Sequence, residues 1–442
     1  FFTMDVDRFL TARFVSGKSE FFLFEPGTDP YGSALVDLRG MNETVAGENG
    51  WVTRQGHKFF LGDGRPVRFW SATVGVPAAV DEVARYLAKR GLNLVRWHTS
   101  LYSNSATDLS DVNMGKVDDL HRLVAAMKDE GIYTKASLFF ILGLRIQEEW
   151  NLDGYDAAWI AANDGGNGES NYANEAPFAL QFVDEDFKNA YKNWVNVLFS
   201  TTNPYTGIAL KDDPALAMIE VQNEDNLFFW TFRPQRFPEV QRQKFERKFG
   251  DWLVAKYGSI AAAQSAWGGS SFGRDDPSEG LMEVTQAWNM TGSYSANPER
   301  MADQILFLMD LQRDWYAEMI DYMRNTVGCR QLFTASNWKT SDDTFLLDAE
   351  YFTYTAADII DTHNYFSPQI SNAAIFTSVS GGDTYLSVPA INNPRRLPVA
   401  LKHVENHPHM ISETTWVNPS DHEAEAALMS AAYGSLTDLD CF

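Results

Sequence analysis

Cysteine is nearly missing from this chain. Cys329 and Cys441 are the only two in 442 residues, which excludes a disulfide framework and any zinc site built from several cysteines. Positive charge is also scarce. Thirty-six Lys and Arg face 59 Asp and Glu, for a net charge of −23, so nucleic acid and anionic membrane are opposed as partners by electrostatics. No apolar run reaches the length of a membrane span. Neither a phosphate-cradling glycine loop nor a Ser-His-Asp order stands out. A start methionine and a targeting segment are absent too. The chain opens at Phe1-Phe2 and is expected to be a piece of a longer protein, which leaves its compartment open.

What is present is globular and aromatic. Hydrophobic residues make up 45% and charged residues 21%, the balance of a folded domain with a large core. Aromatics reach 14%, more than a core requires, and surplus rings are what a sugar-binding cleft uses for stacking.

The hydrophobic pattern alternates between short runs and helical periods. Phe21–Phe24 reads as a strand, Glu25-Pro26-Gly27 as a turn and Ser33–Leu38 as a further extended piece, giving a β-rich segment over residues 1–50. Strands are expected at Val67–Thr73, Leu92–Trp97, Ile132–Phe140, Ala215–Val221, Gln331–Ser336, Asp358–Asn364 and His409–Glu413, with an eighth beginning at Leu439–Phe442. Helices are expected between them at Pro77–Arg90, Val117–Glu130, Asp184–Phe199, Pro298–Val327 and His422–Gly434. Excursions at 145–177 and 228–297 interrupt the rhythm. Strands alternating with helices argue for a parallel sheet, and eight of them for an α/β fold of the (β/α)8 TIM-barrel type over residues 51–442, cut just inside its last strand.

The expected strand ends are chemically distinctive. They carry Arg96-Trp97-His98, Asn223-Glu224, Asn337-Trp338, His363-Asn364-Tyr365 and Glu413. Alternation along Ala215–Asn226 puts Met218, Glu220, Gln222 and Glu224 on one face and Ile219, Val221 and Asn223 on the other. Two carboxylates at the C-terminal rim of a barrel are the equipment of glycosidic bond cleavage, one to protonate the leaving oxygen and one to attack or stabilise the anomeric carbon. Glu220 lies inside the barrel and needs a cation, for which Arg96 is the natural candidate. Trp97 faces away from Arg96, whereas Trp338 and Trp416 follow strand ends and would line the cleft. His403, His407 and His409 suggest a metal site, but Pro408 breaks the helix that would align them. Asp164, Asn167 and Glu169 lack the spacing of a calcium loop. No metal or cofactor is implied.

These residues resemble the clan A retaining β-glycosidases, which include the cellulase and β-mannanase type. Glu220-Val221-Gln222-Asn223-Glu224 is similar to the E-x-x-N-E run of that clan, Arg96 to its strand-two arginine and His363-Asn364-Tyr365 to its H-x-Y, while Glu413 stands at the place of its nucleophile. Ser137–Phe140 departs from the cellulase type in holding no histidine. The resemblance implies Glu224 as acid/base and Glu413 as nucleophile. It further implies that Arg96, His98, Asn223, Asn337, Trp338, His363, Tyr365 and Trp416 contact the substrate or steady the carboxylates. A plant or algal polysaccharide, or its oligosaccharides, is the expected partner, with the protein secreted, periplasmic or on the cell surface. A catalytically inactive carbohydrate-binding barrel and a transglycosylase share the same residues.

Overall fold

The computed structural model describes residues 36–103, 105–141, 144, 146–158, 178–291, 297–366, 386–417 and 420–442, together with the backbone of residues 2–3, 369–370 and 384–385. The expected strand Phe21–Phe24, the turn Glu25–Gly27, the first half of Ser33–Leu38, and Asp164, Asn167 and Glu169 lie outside the described residues.

Five parallel strands form one sheet in sequence order: β1 (Ser71–Thr73), β2 (Leu94–Thr99), β3 (Tyr133–Leu138), β4 (Leu216–Glu220) and β5 (Leu332–Thr334). β6 (Ile360–His363) and β7 (His409–Glu413) form a parallel pair. A parallel bridge from Thr334 to Ile359 joins the pair to the sheet. Asp440–Phe442 lies between the two remaining edges. The Phe69 amide donates to the Asp440 carbonyl at 2.9 Å, and the Ile411 amide donates to the Cys441 carbonyl at 3.1 Å.

The strands are apolar because they are covered on both faces; every residue of β3 and β4 is buried. Around them lie α1 (Val80–Lys89), α2 (Met114–Asp129), α3 (Glu185–Ser200), α4 (Glu239–Tyr257), α5 (Ile260–Ala266), α6 (Pro298–Asp321), α7 (Leu347–Tyr354) and α8 (Glu425–Leu436). Local signals set their ends. The Asn113 side chain caps α2 by accepting from the amides of Gly115 and Lys116. After α2 the chain turns at Gly131, with φ of 72° and so little room that a Cβ would stand 1.9 Å from the Glu43 carbonyl. Pro298 opens α6, which runs on through a π-turn at Tyr322–Val327 to Gly328.

Three expectations are corrected. The first expected strand divides: Pro66–Val67 closes a small antiparallel sheet with Thr53–Gln55 and Lys58–Phe60, and only Ser71–Thr73 joins the parallel sheet. The excursion at 228–297, for which no helix is expected, carries α4 and α5, with Phe245 and Phe249 of α4 buried. α7 was not anticipated; its eight residues span barely two turns, too few for a clear period. Among the described residues, no helix is long and apolar enough to cross a membrane.

Candidate active site

The site stands on a floor of paired charges. Arg96 on β2 is 2% exposed, and its guanidinium reaches four partners. It donates to Glu220 at 3.0 and 3.2 Å, to the Ser137 hydroxyl at 2.8 Å, to Asn223 Oδ1 at 2.6 Å and to Glu413 Oε1 at 2.5 Å. Lys135 on β3, fully buried, pairs with Glu220 at 2.7 Å and with Asp361 on β6. An ion buried without a partner costs several kcal/mol, roughly, so these charges are tolerable only as a set. Burial pushes the Glu220 carboxyl up, but Arg96 and Lys135 outweigh it and hold the group well below the usual carboxylate range.

Above this floor β4 ends and its alternation ends with it. Glu220 is the last strand residue, and Glu224 takes a left-handed φ of 44°. Asn223 therefore sits with Glu220 against Arg96, rather than on the opposite face as strict alternation requires. Asn337, just beyond β5, fixes this unusual turn. Its Oδ1 accepts the Glu224 amide at 3.1 Å, and its Nδ2 donates to Asn223 Oδ1 at 3.0 Å. Asp225 turns the other way into the core, accepting from the Ala179 amide at 2.8 Å and from Gln181 at 2.6 Å; burial pushes its pKa up to about 6.

Glu413 reaches the same place through a bulge. Thr362 pairs with Ile411 but His363 pairs with Glu413, so Ser412 is the extra residue of β7. Such a bulge re-aims the side chains beside it. Glu413 receives hydrogen bonds from Arg96 and, at 2.5 Å, from the Tyr365 hydroxyl. Burial alone would push its pKa up. His363, Arg96 and the Tyr365 hydrogen bond prevail and bring it down to about 2. Burial and the adjacent Glu413 carboxylate push the Tyr365 phenol well up, which keeps it a donor.

His363 stands between the two acids. Its Nδ1 lies 2.6 Å from Glu224 Oε1 and 3.6 Å from Glu413 Oε2, and its Nε2 is 3.0 Å from the Ser412 hydroxyl. One ligand atom each from Glu224, His363 and Glu413 lie within 4.8 Å of one another. Among the described residues this is the one group close enough to hold a metal ion, but the Arg96 guanidinium already on Glu413 repels a cation there. The alternative histidine cluster does not form a ligand set. His409 Nε2 accepts the Val404 amide at 2.7 Å, His407 Nδ1 lies 2.9 Å from the Glu405 carbonyl, and His403 stacks on His409.

The structure thus gathers Arg96, Asn223, Glu224, His363, Tyr365 and Glu413. His98 lies at the margin, its Nδ1 2.9 Å from the Ser137 hydroxyl and its pKa brought down to about 4 by burial and Arg96, so the ring is neutral. Trp338 sets its ring edge-on to His363, centroids 6.5 Å apart. Two substrate-binding expectations need correction. Asn337 is fully buried with both side-chain atoms engaged, so it positions Asn223 and Glu224. Trp416 is 3% exposed, stacked on Phe366 in a small core with Leu397, Val399 and Met429, because the chain folds back after β7. Ser137, Ser412, Lys135 and Asp361 were missed. A charged residue inside an apolar run, as in Tyr133–Leu138 and Ile360–His363, was the available signal for two of them.

With the geometry in place, the chain can be compared with known proteins. No family model matches it. It is 26% identical over 214 residues to a putative mannan endo-1,4-β-mannosidase 5 from Oryza sativa subsp. japonica, a match over 45% of this chain and 39% of that protein. Among solved structures, a β-galactosidase from the haloarchaeon Halorubrum lacusprofundi superposes with a TM-score of 0.50 at 14% identity, over 84% of this chain and 51% of that one. An endo-1,4-β-D-mannanase from Thermotoga petrophila RKU-1 has a TM-score of 0.42 at 11% identity, over 85% and 87% of the two chains. The aligned region spans well under half of the rice protein and about half of the β-galactosidase. In a stretch of sequence and in overall fold, then, this chain is similar to β-glycoside hydrolases, and the resemblance to clan A stands at that level.

Proposed function

We propose that this chain is a retaining glycoside hydrolase that cleaves β-linked plant or algal polysaccharides, or oligosaccharides derived from them, by double displacement. The observation that carries the reading is the meeting of Glu224 and Glu413, from the turn after β4 and from β7, with one carboxylate oxygen of each within 4.8 Å of the other. Retaining enzymes hold their two carboxyl groups about 5–5.5 Å apart, whereas inverting enzymes leave roughly 6.5–9.5 Å for a water.

The two acids differ in ways that suit the two roles. Glu413, kept ionised by Arg96 and Tyr365, attacks the anomeric carbon. Glu224 gives its proton to the glycosidic oxygen as the carbon–oxygen bond breaks. It then takes a proton from the water that attacks the anomeric carbon and releases Glu413. His363 orients Glu224 through the 2.6 Å contact. The Asn223 carbonyl is held by Arg96 and Asn337, which leaves its amide nitrogen to donate to a sugar hydroxyl. The architecture that serves this chemistry is an eight-stranded ring, with Asp440–Phe442 as the eighth member between β7 and β1. Work on a polymer accords with a secreted, periplasmic or cell-surface location.

The test is a panel of β-linked polysaccharides and nitrophenyl β-glycosides, read by reducing ends and released phenol, with the anomer of the first product determined by NMR. Hydrolysis with retention, abolished in Glu413→Ala, is expected. An inverted first product, or full activity in Glu413→Ala, rules the mechanism out.

A further inference from the structure

The aromatic residues beyond Glu224 are not explained by the reaction itself. Five residues after Glu224 comes Phe229, whose ring meets Trp338 edge-on at 5.2 Å and Trp288 at 5.7 Å. Trp338 in turn touches His363, the residue bonded to Glu224. A continuous strip, Trp338–Phe229–Trp288, therefore runs outward from the proton donor. Phe229 is 8% exposed and acts as the spacer, whereas Trp288 is 47% exposed. An indole that open to water has not been placed there by burial.

The segment bearing Trp288 is fixed in place. Trp288 is the middle residue of a short helical turn, Ala287–Asn289. Gln235 donates to Gln286 at 2.8 Å, Asn289 donates to Thr285 at 2.7 Å, and the Thr285 amide donates to Gln304 of α6 at 2.9 Å. An exposed aromatic on such a braced support loses little freedom on binding. The direction of the strip also matters. Glu224 protonates the departing oxygen, so the first departing sugar lies beside Glu224, and the strip begins at Trp338, against the His363 that contacts Glu224. With a net charge of −23, the protein favours a neutral chain over a polyanion.

We propose that Trp338 and Trp288, bridged by Phe229, form a stacking surface for the leaving-group sugars of a neutral β-linked polysaccharide. This rests on the glycosidase reading above and deepens it: the substrate extends at least two sugars past the scissile bond, and cleavage is internal. A nitrophenyl glycoside, which has no sugars on that side, does not reach Trp288.

The experiment compares the wild type with Trp288→Ala and Trp288→Phe on nitrophenyl β-glycosides, β-1,4-mannohexaose and an agarose-derived hexasaccharide. For a hexasaccharide that is cleaved, Trp288→Ala should raise KM about tenfold with kcat little changed, Trp288→Phe should recover most of the loss, and nitrophenyl glycoside hydrolysis should be unaffected. Equal losses on the small and large substrates, or no loss on the hexasaccharide, overturn the proposal. Calorimetric binding of both hexasaccharides to Glu413→Gln, with and without Trp288→Ala, separates it from the glycosidase reading. If nothing is hydrolysed but binding depends on Trp288, the reaction is wrong and the surface stands. If neither hexasaccharide binds, the surface falls.

Discussion

Glu220 and Glu413 both lie against the Arg96 guanidinium, yet they inhabit different environments. Glu220 belongs to the lower layer, fully buried and enclosed by Arg96, Lys135 and the Ser137 hydroxyl. Glu413 belongs to the upper layer, with its side chain 24% exposed and its remaining contacts made by Tyr365 and His363. Both carboxyls are held ionised, the one as a fixed counter-charge and the other where a substrate can reach it. Ionisation alone therefore does not separate a structural carboxylate from one open to a substrate; exposure does, and of the two only Glu413 has it.

Substitutions can break or sharpen this contrast. The largest effect should come from Glu413→Gln, which keeps the shape and removes the charge. Hydrolysis should fall by about 10⁴-fold or more, with thermal stability close to that of the wild type. A variant retaining a tenth of the activity would place Glu413 with Glu220 as a structural group. In the lower layer, Lys135→Met should lower stability by about 3–5 kcal/mol, because Glu220 and Asp361 lose a shared cation in a buried site. Denaturant titration measures this, and an unchanged midpoint would mean that Arg96 alone neutralises the layer.

Tyr365→Phe tests how the upper layer is tuned. Glu413 has its pKa lowered from 4.5 to about 2, so it is ionised above that range and becomes protonated as pH falls through it, which on the proposed mechanism stops the reaction. Removing the phenol hydrogen bond should move the acid limb of the kcat/KM profile upward by about one unit and cost about tenfold in rate. An acid limb that stays in place would assign the lowering to Arg96 and His363. The smallest effect is expected for Ser412→Ala, which removes one neutral contact to His363 and should change kcat/KM less than about fivefold. A larger loss would make Ser412 the residue that sets the His363 tautomer.

Much of this arrangement was legible in the sequence. His409–Glu413 was bounded correctly because an apolar run between Pro408 and polar residues has one plausible reading as a strand. The need of Glu220 for a cation pointed to Arg96, which is one of the two cations found there, Lys135 being the other. Asn223 was placed on the wrong face because alternation assumes that a strand continues, and this one stops at Glu220 before the left-handed turn at Glu224. The bulge at Ser412 left no local trace, since it is defined by pairing with β6. Trp416 shows the limit of arguing from strand ends. The sequence places it after β7, but only the return of the chain onto Phe366 decides whether it faces solvent or core.

The backbone join at Asp440–Phe442 has a consequence for the order of events during synthesis. Phe69 and Ser71 leave the ribosome well before Cys441, which bridges Phe69 on one side and Met410 on the other and lies 370 residues beyond Ser71. The entropy of closing a longer loop grows slowly with its length, so the distance itself is a modest obstacle. Time is the larger one: β1 keeps an unpaired edge until the partner segment exists, and every other parallel strand has been translated before that edge can be covered.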